Sequence, residues 1–344
     1  MNELAITAVN AITAVGHDGA LTAAAARAGL CGYRLYDRYR DQNDNPITAA
    51  PIRGIADDLC GSNRLTALAH RCLEPLLAVP ALATPRTSLR VLLTAASPHR
   101  PGPDHATVLR EPLVRALKKV ARHIEVVSVP RGNGAFHHAL EQAANRIAEA
   151  PETLCLIGGI DSLLSPATLN GLEANRRLKS GSMGRHHGLV AGEAAAFVQV
   201  EHPDFARRAG LPVLARVSGL GLAEEPTSRA RGEIRQNQGL RQAIRMALDS
   251  AQTEGIATVF GDLNGENTRA LEWHLAAQGC FNPETRPRQL RHPADAYGDV
   301  GAVSGAVLAT IAAHGLTRNW AHDPALLFCT DDFGACGALV LQKG

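Results

Sequence analysis

Short apolar runs alternate with longer stretches of helical periodicity along the chain. That alternation marks βαβ units around a sheet covered on both faces. In the first part, the strand "LAITAVNAIT" precedes the helix "GALTAAAARAGL". Strands "LRVLLTAA" and "IEVVSVP" follow, then a helix from Gly134 and the strand "TLCLIGGI". The order then repeats. "VLARVSGLGLA" precedes the helix "GLRQAIRMALDSAQ", followed by "ATVFGDL", a helix from about Asp299, and "ALLFCTDD". The repetition predicts an internally duplicated α/β fold, with halves 1–205 and 206–344 that meet near Asp204 to Leu211.

Composition narrows the class. Of 344 residues, 45% are hydrophobic and 20% charged, as in an ordinary globular protein. The 35 basic and 33 acidic residues are interspersed and give a net charge of +2, which offers no argument for nucleic acid or membrane binding. No stretch approaches the roughly 20 apolar residues of a membrane span, and the opening "MNELAITAVNAITAVG" lacks a charged leader, so a cytoplasmic protein is expected. Seven cysteines without CxxC spacing are expected to be buried thiols, with no disulfide framework and no metal site.

The segment "PRGNGAFHHALEQA", Pro130 to Ala143, reads as strand end, turn and helix. Such turns mount nucleophiles in several enzyme families, because the helix N-terminus presents free N–H groups and partial positive charge. Asn133 is not such a nucleophile. Its expected role is structural, since Asn tolerates a strained turn and the flanking glycines permit positive φ. Phe136, Leu140, Ala143, Ala144 and Ile147 form the apolar face of the following helix, which leaves His138 on the polar face. Asp299 is expected to occupy the matching place in the second half, so that two helix N-termini face one site.

Other candidates carry less chemistry. The adjacent pairs His137-His138 and His186-His187 point about 100° apart on a helix and do not chelate as i, i+4 histidines would. "GHDG", "GGIDS" and "GLGLAEE" lack phosphate-loop spacing, so no nucleotide cofactor is expected. Asp262 with Glu266 reads either as an acid pair or as a solvated turn with a helix-capping carboxylate. Cys31 is expected to be a packing residue. Arg176, Arg177, Lys179 and Arg185, on "NRRLKSGSMGRHHG", form either a solvated loop or a contact surface for an acidic protein.

Four segments in order resemble the β-ketoacyl-carrier-protein synthase (ketosynthase) branch of the thiolase superfamily. "AVNAITAVGHDGALTAAAARAG" is similar to the family's opening strand, turn and helix. "GLVAGEAAAFVQVE" is similar to D-G-F-V-x-G-E-G-A-G-x-L-V-L-E, "GDVGAVSG" to G-H-x-x-G-A-A-G, and "GALVLQKG" to the closing strand. The resemblance implies a five-layered αβαβα fold of two duplicated βαβαβαββ-type halves, usually dimeric. "HIEVVSVP", His123 to Pro130, matches the family's dimer-edge strand.

The resemblance also implies that the catalytic positions are replaced. The acyl-bearing cysteine falls on Asn133, the two oxyanion-binding histidines on Asn264 and Asp299, and the lysine on Ala294. A carboxamide forms no thioester. Asn264 can donate one hydrogen bond to an oxyanion, whereas an ionised Asp299 repels it. The segment between "LLTAA" and "EVVSVP" is shorter than in the family, so a shallow or closed pocket is expected. Together these imply a protein without catalytic, cofactor-binding or metal-binding residues. Its expected role is as an adaptor, chaperone-like or scaffold partner, with a bacterial secretion-effector locus as one setting. Two alternatives stand: a subunit like a chain-length factor, or a divergent 3-oxoacyl-carrier-protein synthase or acyltransferase in fatty acid or polyketide biosynthesis. Implied partners are a second copy, a related thiolase-fold subunit, a protein effector or an acyl carrier protein.

Overall fold

The computed structural model describes residues 3–56, 58–78, 86–100, 105–179, 187–229, 232–233, 236–253 and 255–344. The first half contributes β1 (Leu4–Ile12), β2 (Arg34–Arg40), β3 (Pro46–Ala50), β4 (Arg86–Ala95), β5 (Ala121–Pro130), β6 (Leu154–Ser162) and β7 (Ala191–Glu201). The second contributes β8 (Ala215–Glu224), β9 (Thr258–Gly261), β10 (Gln289–Arg291), β11 (Ala325–Thr330) and β12 (Ala335–Lys343). The β2–β3 hairpin, absent from the sequence reading, pairs through β3 with β7.

The remaining ten strands form the path β5-β4-β6-β7-β1-β8-β12-β11-β9-β10. Outward from the β1–β8 junction, each half places its first strand, then its fifth, fourth, second and third. Directions repeat as well. The inner pairs β1–β7 and β6–β7, like β8–β12 and β11–β12, are antiparallel, whereas β4 with β5 and β6, and β9 with β10 and β11, are parallel. The duplication read from the apolar pattern is thus a repeat of strand order.

Three apolar cores define five layers. The helices Ala135–Glu149 and Ser304–Thr317 share a core with strands of both halves, so they lie between the two half-sheets. Gly61–Leu77 and His105–Leu117 cover the outer face of the first half-sheet. Gly239–Ala251 and Asn267–Cys280 cover the second. A central helix touches apolar surface on nearly every side, and "SGAVLATIAA" is accordingly buried throughout.

"GHDG" starts a helix: Asp18 Oδ1 accepts from the Leu21 N–H at 2.7 Å, and Gly29 (φ +69°) ends that helix. The second central helix begins at Ser304, later than expected, because Gly298 and Gly301 take positive φ and a 3₁₀ turn over Gly301–Val303 intervenes.

His137, on the first central helix, is fully buried with its ring edge-on to Phe136. Burial and the neighbouring His138 push its pKa down to about 3. The folded state therefore holds His137 neutral while the unfolded chain protonates it below the ordinary His value of about 6.5. Its contribution to stability is complete above that value and is lost as pH falls toward 3. We expect His137→Leu to lose less stability than wild type between pH 7 and pH 4 in urea melts.

Candidate functional site

Asn133 lies in a 3₁₀ turn, Gly132–Gly134, that opens the first central helix, and Gly301–Val303 opens the second. The two turns have the same build, with φ of +53° at Gly132 and +57° at Gly301. Asn133 therefore corresponds to Ala302, and the expected match to Asp299 is corrected by three positions. The unusual conformation also belongs to Gly132 and not to Asn133.

Each turn is held by an aspartate from the opposite half. Asp331, just after β11, accepts from the Asn133 N–H at 3.3 Å. Asp161, at the end of β6, accepts from the Ala302 N–H at 2.8 Å. Both aspartates follow from the fourth strand of their half, so the clasps are crossed and equivalent. A Cβ added at Gly132 would overlap Asp331 Oδ1. Gly132→Ala combines that overlap with positive φ and is expected to cost about 2 kcal/mol or more, seen as a lower melting temperature.

The three positions matched to the family's catalytic residues are gathered and buried, at 7% exposure for Asn133 and Asn264 and 6% for Asp299. The Asn133 amide nitrogen lies 3.3 Å from Asp262 Oδ2 and 3.5 Å from Ser304 Oγ. The Asn264 amide nitrogen donates to Glu266 Oε2 at 3.0 Å and to Asp299 Oδ2 at 2.7 Å. Both amide hydrogens are committed, so the expectation of a free donor for an oxyanion is corrected. Ala294 is buried at the start of the short helix Ala294–Tyr297.

Behind these residues lies a network of arginines and carboxylates. Arg177 pairs with Glu266 through Nε and Nη2, both at 2.7 Å, and reaches Asp332 Oδ2 at 2.6 Å. Arg229 bridges Asp332 at 2.9 Å and Glu272 at 2.7 Å. Arg269, 2% exposed, donates to Asp262 Oδ2 and to the Thr330 carbonyl, each at 2.7 Å, with Asp332 at 3.3 Å. Burial pushes the Asp332 carboxyl up, but Arg177, Arg269 and Arg229 outweigh it and hold the group well below the usual carboxylate range. Asp262 is pushed up to about 6 by burial, partly offset by Arg269 and the Thr330 N–H. Burial and the charge of Asp332 also raise Asp331 to about 6.

This network corrects two expectations, and the cysteines correct a third. Asp262 and Glu266 are neither a solvated turn nor a cap: Glu266 precedes the helix Asn267–Cys280 without a side-chain capping bond, and both are paired with arginine. Arg177 is no surface contact, although Arg176 and Lys179 are exposed; Arg185 and His186 lie outside the described residues. Cys31 and Cys60 are exposed, against the expectation of packed thiols, whereas Cys72, Cys155, Cys329 and Cys336 are buried.

Beside Asn133 is a cavity of about 250 Å³ whose walls include Arg100, Leu172, Asp299, Asp331 and Phe333. The pocket is present and not closed, but lies just below the roughly 300–1,000 Å³ of common ligand sites. His99 and Phe333 meet at its wall with ring centroids 5.1 Å apart. Among the described residues no group of three or more His, Cys, Asp or Glu side chains is placed to hold a metal ion, and no helix is long and apolar enough to cross a membrane.

The fold is the thiolase fold of the ketosynthases. A type II polyketide synthase acyl-carrier protein in complex with its ketosynthase bound to the hexaketide (AntDE:AntF) contains a chain that matches with a TM-score of 0.78 at 12% identity, over 100% of this chain and 99% of that one. The ishigamide ketosynthase/chain length factor matches with a TM-score of 0.74 at 17% identity, over 100% and 99%. A ketosynthase (ApeO) in complex with its chain length factor (ApeC) from Xenorhabdus doucetiae gives 0.75 at 15%, over 100% and 98%. In sequence, a putative polyketide β-ketoacyl synthase from Streptomyces halstedii is 28% identical over 165 residues, 44% of this chain and 38% of the relative. The match thus spans well under half of that relative's length. No protein-family model matches the chain.

Proposed function

We propose that this protein is a non-condensing partner subunit of a ketosynthase-type assembly in the cytoplasm, comparable in role to a chain-length factor. The observation that carries the reading is the commitment of the site's polar groups. Asn133 supplies no nucleophile, and Asn264 is held between two carboxylates, where an enolate would need free donors. The matched structures that pair a ketosynthase with a chain length factor support the partner role. The adaptor drawn from the sequence shares this non-catalytic centre and differs in the partner it serves. A divergent synthase or acyltransferase would need a relocated nucleophile. Wild type incubated with acyl and malonyl carrier thioesters should give no condensation product, and turnover would overturn the proposal.

The partner subunit is expected to dock at β5. This strand ends the first half-sheet and pairs with β4 alone among the described strands, which leaves one edge open. Sedimentation at micromolar concentration should give about twice the chain mass, alone as a homodimer or with an added ketosynthase as a heterodimer. Val127→Pro should reduce that mass to a monomer's or cause precipitation, and a wild-type monomer indifferent to ketosynthase would rule the interface out.

A further inference from the structure

The cavity beside Asn133 has a mixed lining. Leu163, Leu172, Leu189 and Phe333 give it apolar wall, and Asp299 and Asp331 line it together with Arg100 and Arg177. The two arginines that reach it are already matched by carboxylates. Arg100 grips Asp161 through both terminal nitrogens, and Arg177 is held by Glu266 and Asp332. Asp299 is not matched in this way. Its Oδ2 accepts from Asn264 at 2.7 Å and its Oδ1 from the Gly301 N–H at 2.9 Å, yet it forms no ion pair among the described residues while only 6% exposed. Two neutral donors offset part of the cost of burying a carboxylate, and Arg100 and Arg269 act on Asp299 only through space, without a direct ion pair.

We infer that the cavity binds a small organic cation, with an ammonium group against Asp299 and a short apolar body along Leu163, Leu172, Leu189 and Phe333. A carboxylate ligand would face Asp299 and Asp331 with like charge. A neutral acyl group would cover the apolar wall and leave the Asp299 charge as it is. The volume suits a short alkylamine or a single-ring arylamine. The inference rests on the reading that this pocket no longer handles thioesters, and the test separates the two.

The intact protein is titrated calorimetrically with hexylammonium, hexanol, hexanoate and S-hexanoyl pantetheine. Hexylammonium is expected to bind at least about 10-fold more tightly than hexanol, the size of a charge-assisted contact, and hexanoate not at all. Asp299→Asn should reduce the hexylammonium affinity to that of hexanol, and Leu172→Trp, which fills the cavity, should abolish both. Circular dichroism establishes that the variants are folded, and if Asp299→Asn is not, the wild-type charge series decides alone. Equal binding of ammonium and alcohol, a preference for hexanoate, or no binding at all overturns the cation site. Preference for the pantetheine thioester overturns the non-thioester reading of the pocket as well.

Discussion

Asn133→Cys is expected to leave condensation undetectable. The new thiol would stand at the start of the first central helix, where the dipole and free N–H groups favour a thiolate and slow acylation. The second half-reaction fails on electrostatic grounds. Loss of CO2 leaves an enolate, and removing one positioned donor from such a site costs on the order of 10²- to 10³-fold in rate. Here the Asn264 amide is committed to Glu266 and Asp299, and Asp299 is itself a carboxylate. The two deficits compound. Chromatography of products from wild type, Asn133→Cys, and the triple variant Asn133→Cys, Asn264→His, Asp299→His tests this. Product from the single variant would mean that Asn264 and Asp299 are not the positions that matter.

Arg269→Ala is expected to be the most damaging single change to stability. Its guanidinium is buried between Asp262, Asp332 and the Thr330 carbonyl. Removing one partner of a buried charge network costs about 3–5 kcal/mol, here because Asp262 stays in low dielectric without its paired guanidinium while Asp332 keeps only Arg177 and Arg229. Arg269→Met keeps much of the volume and should fail nearly as badly, which separates charge from packing. Arg115, whose partner Glu111 is in water, provides the control: Arg115→Ala should leave the melt unchanged. An Arg269→Met protein as stable as wild type would show that the network is dispensable.

The sequence made the architecture legible because apolar alternation and helical period report burial directly, and both halves repeat them. The position of Asn133 was legible for a related reason, since glycines flank it at a strand-to-helix turn. The charge network was not. Arg177, Arg229 and Arg269 lie on separate segments; Arg229 and Arg269 meet Asp332 through the folding of the second half, and Arg177 reaches it from the first half across the junction. A local signal did exist in "TDDF", where two acids directly follow the apolar strand β11. Two neighbouring carboxylates at a buried strand end call for cations, and only the fold supplies them. The offset between Asn133 and Asp299 escaped for a subtler reason, because the glycines that define each turn stand at different distances from the polar residue.

The crossed clasps tie the shape of the centre to the joining of the two halves. Asp161 and Asp331 each tie down the turn that opens the opposite half's central helix. These acids link the two halves whatever the pocket does. The middle of the molecule is thus constrained by assembly before it is constrained by chemistry. A centre built this way takes its rigidity from the joining of the halves, so substitutions at Asn133 or Asn264 are expected to change its chemistry more than its shape.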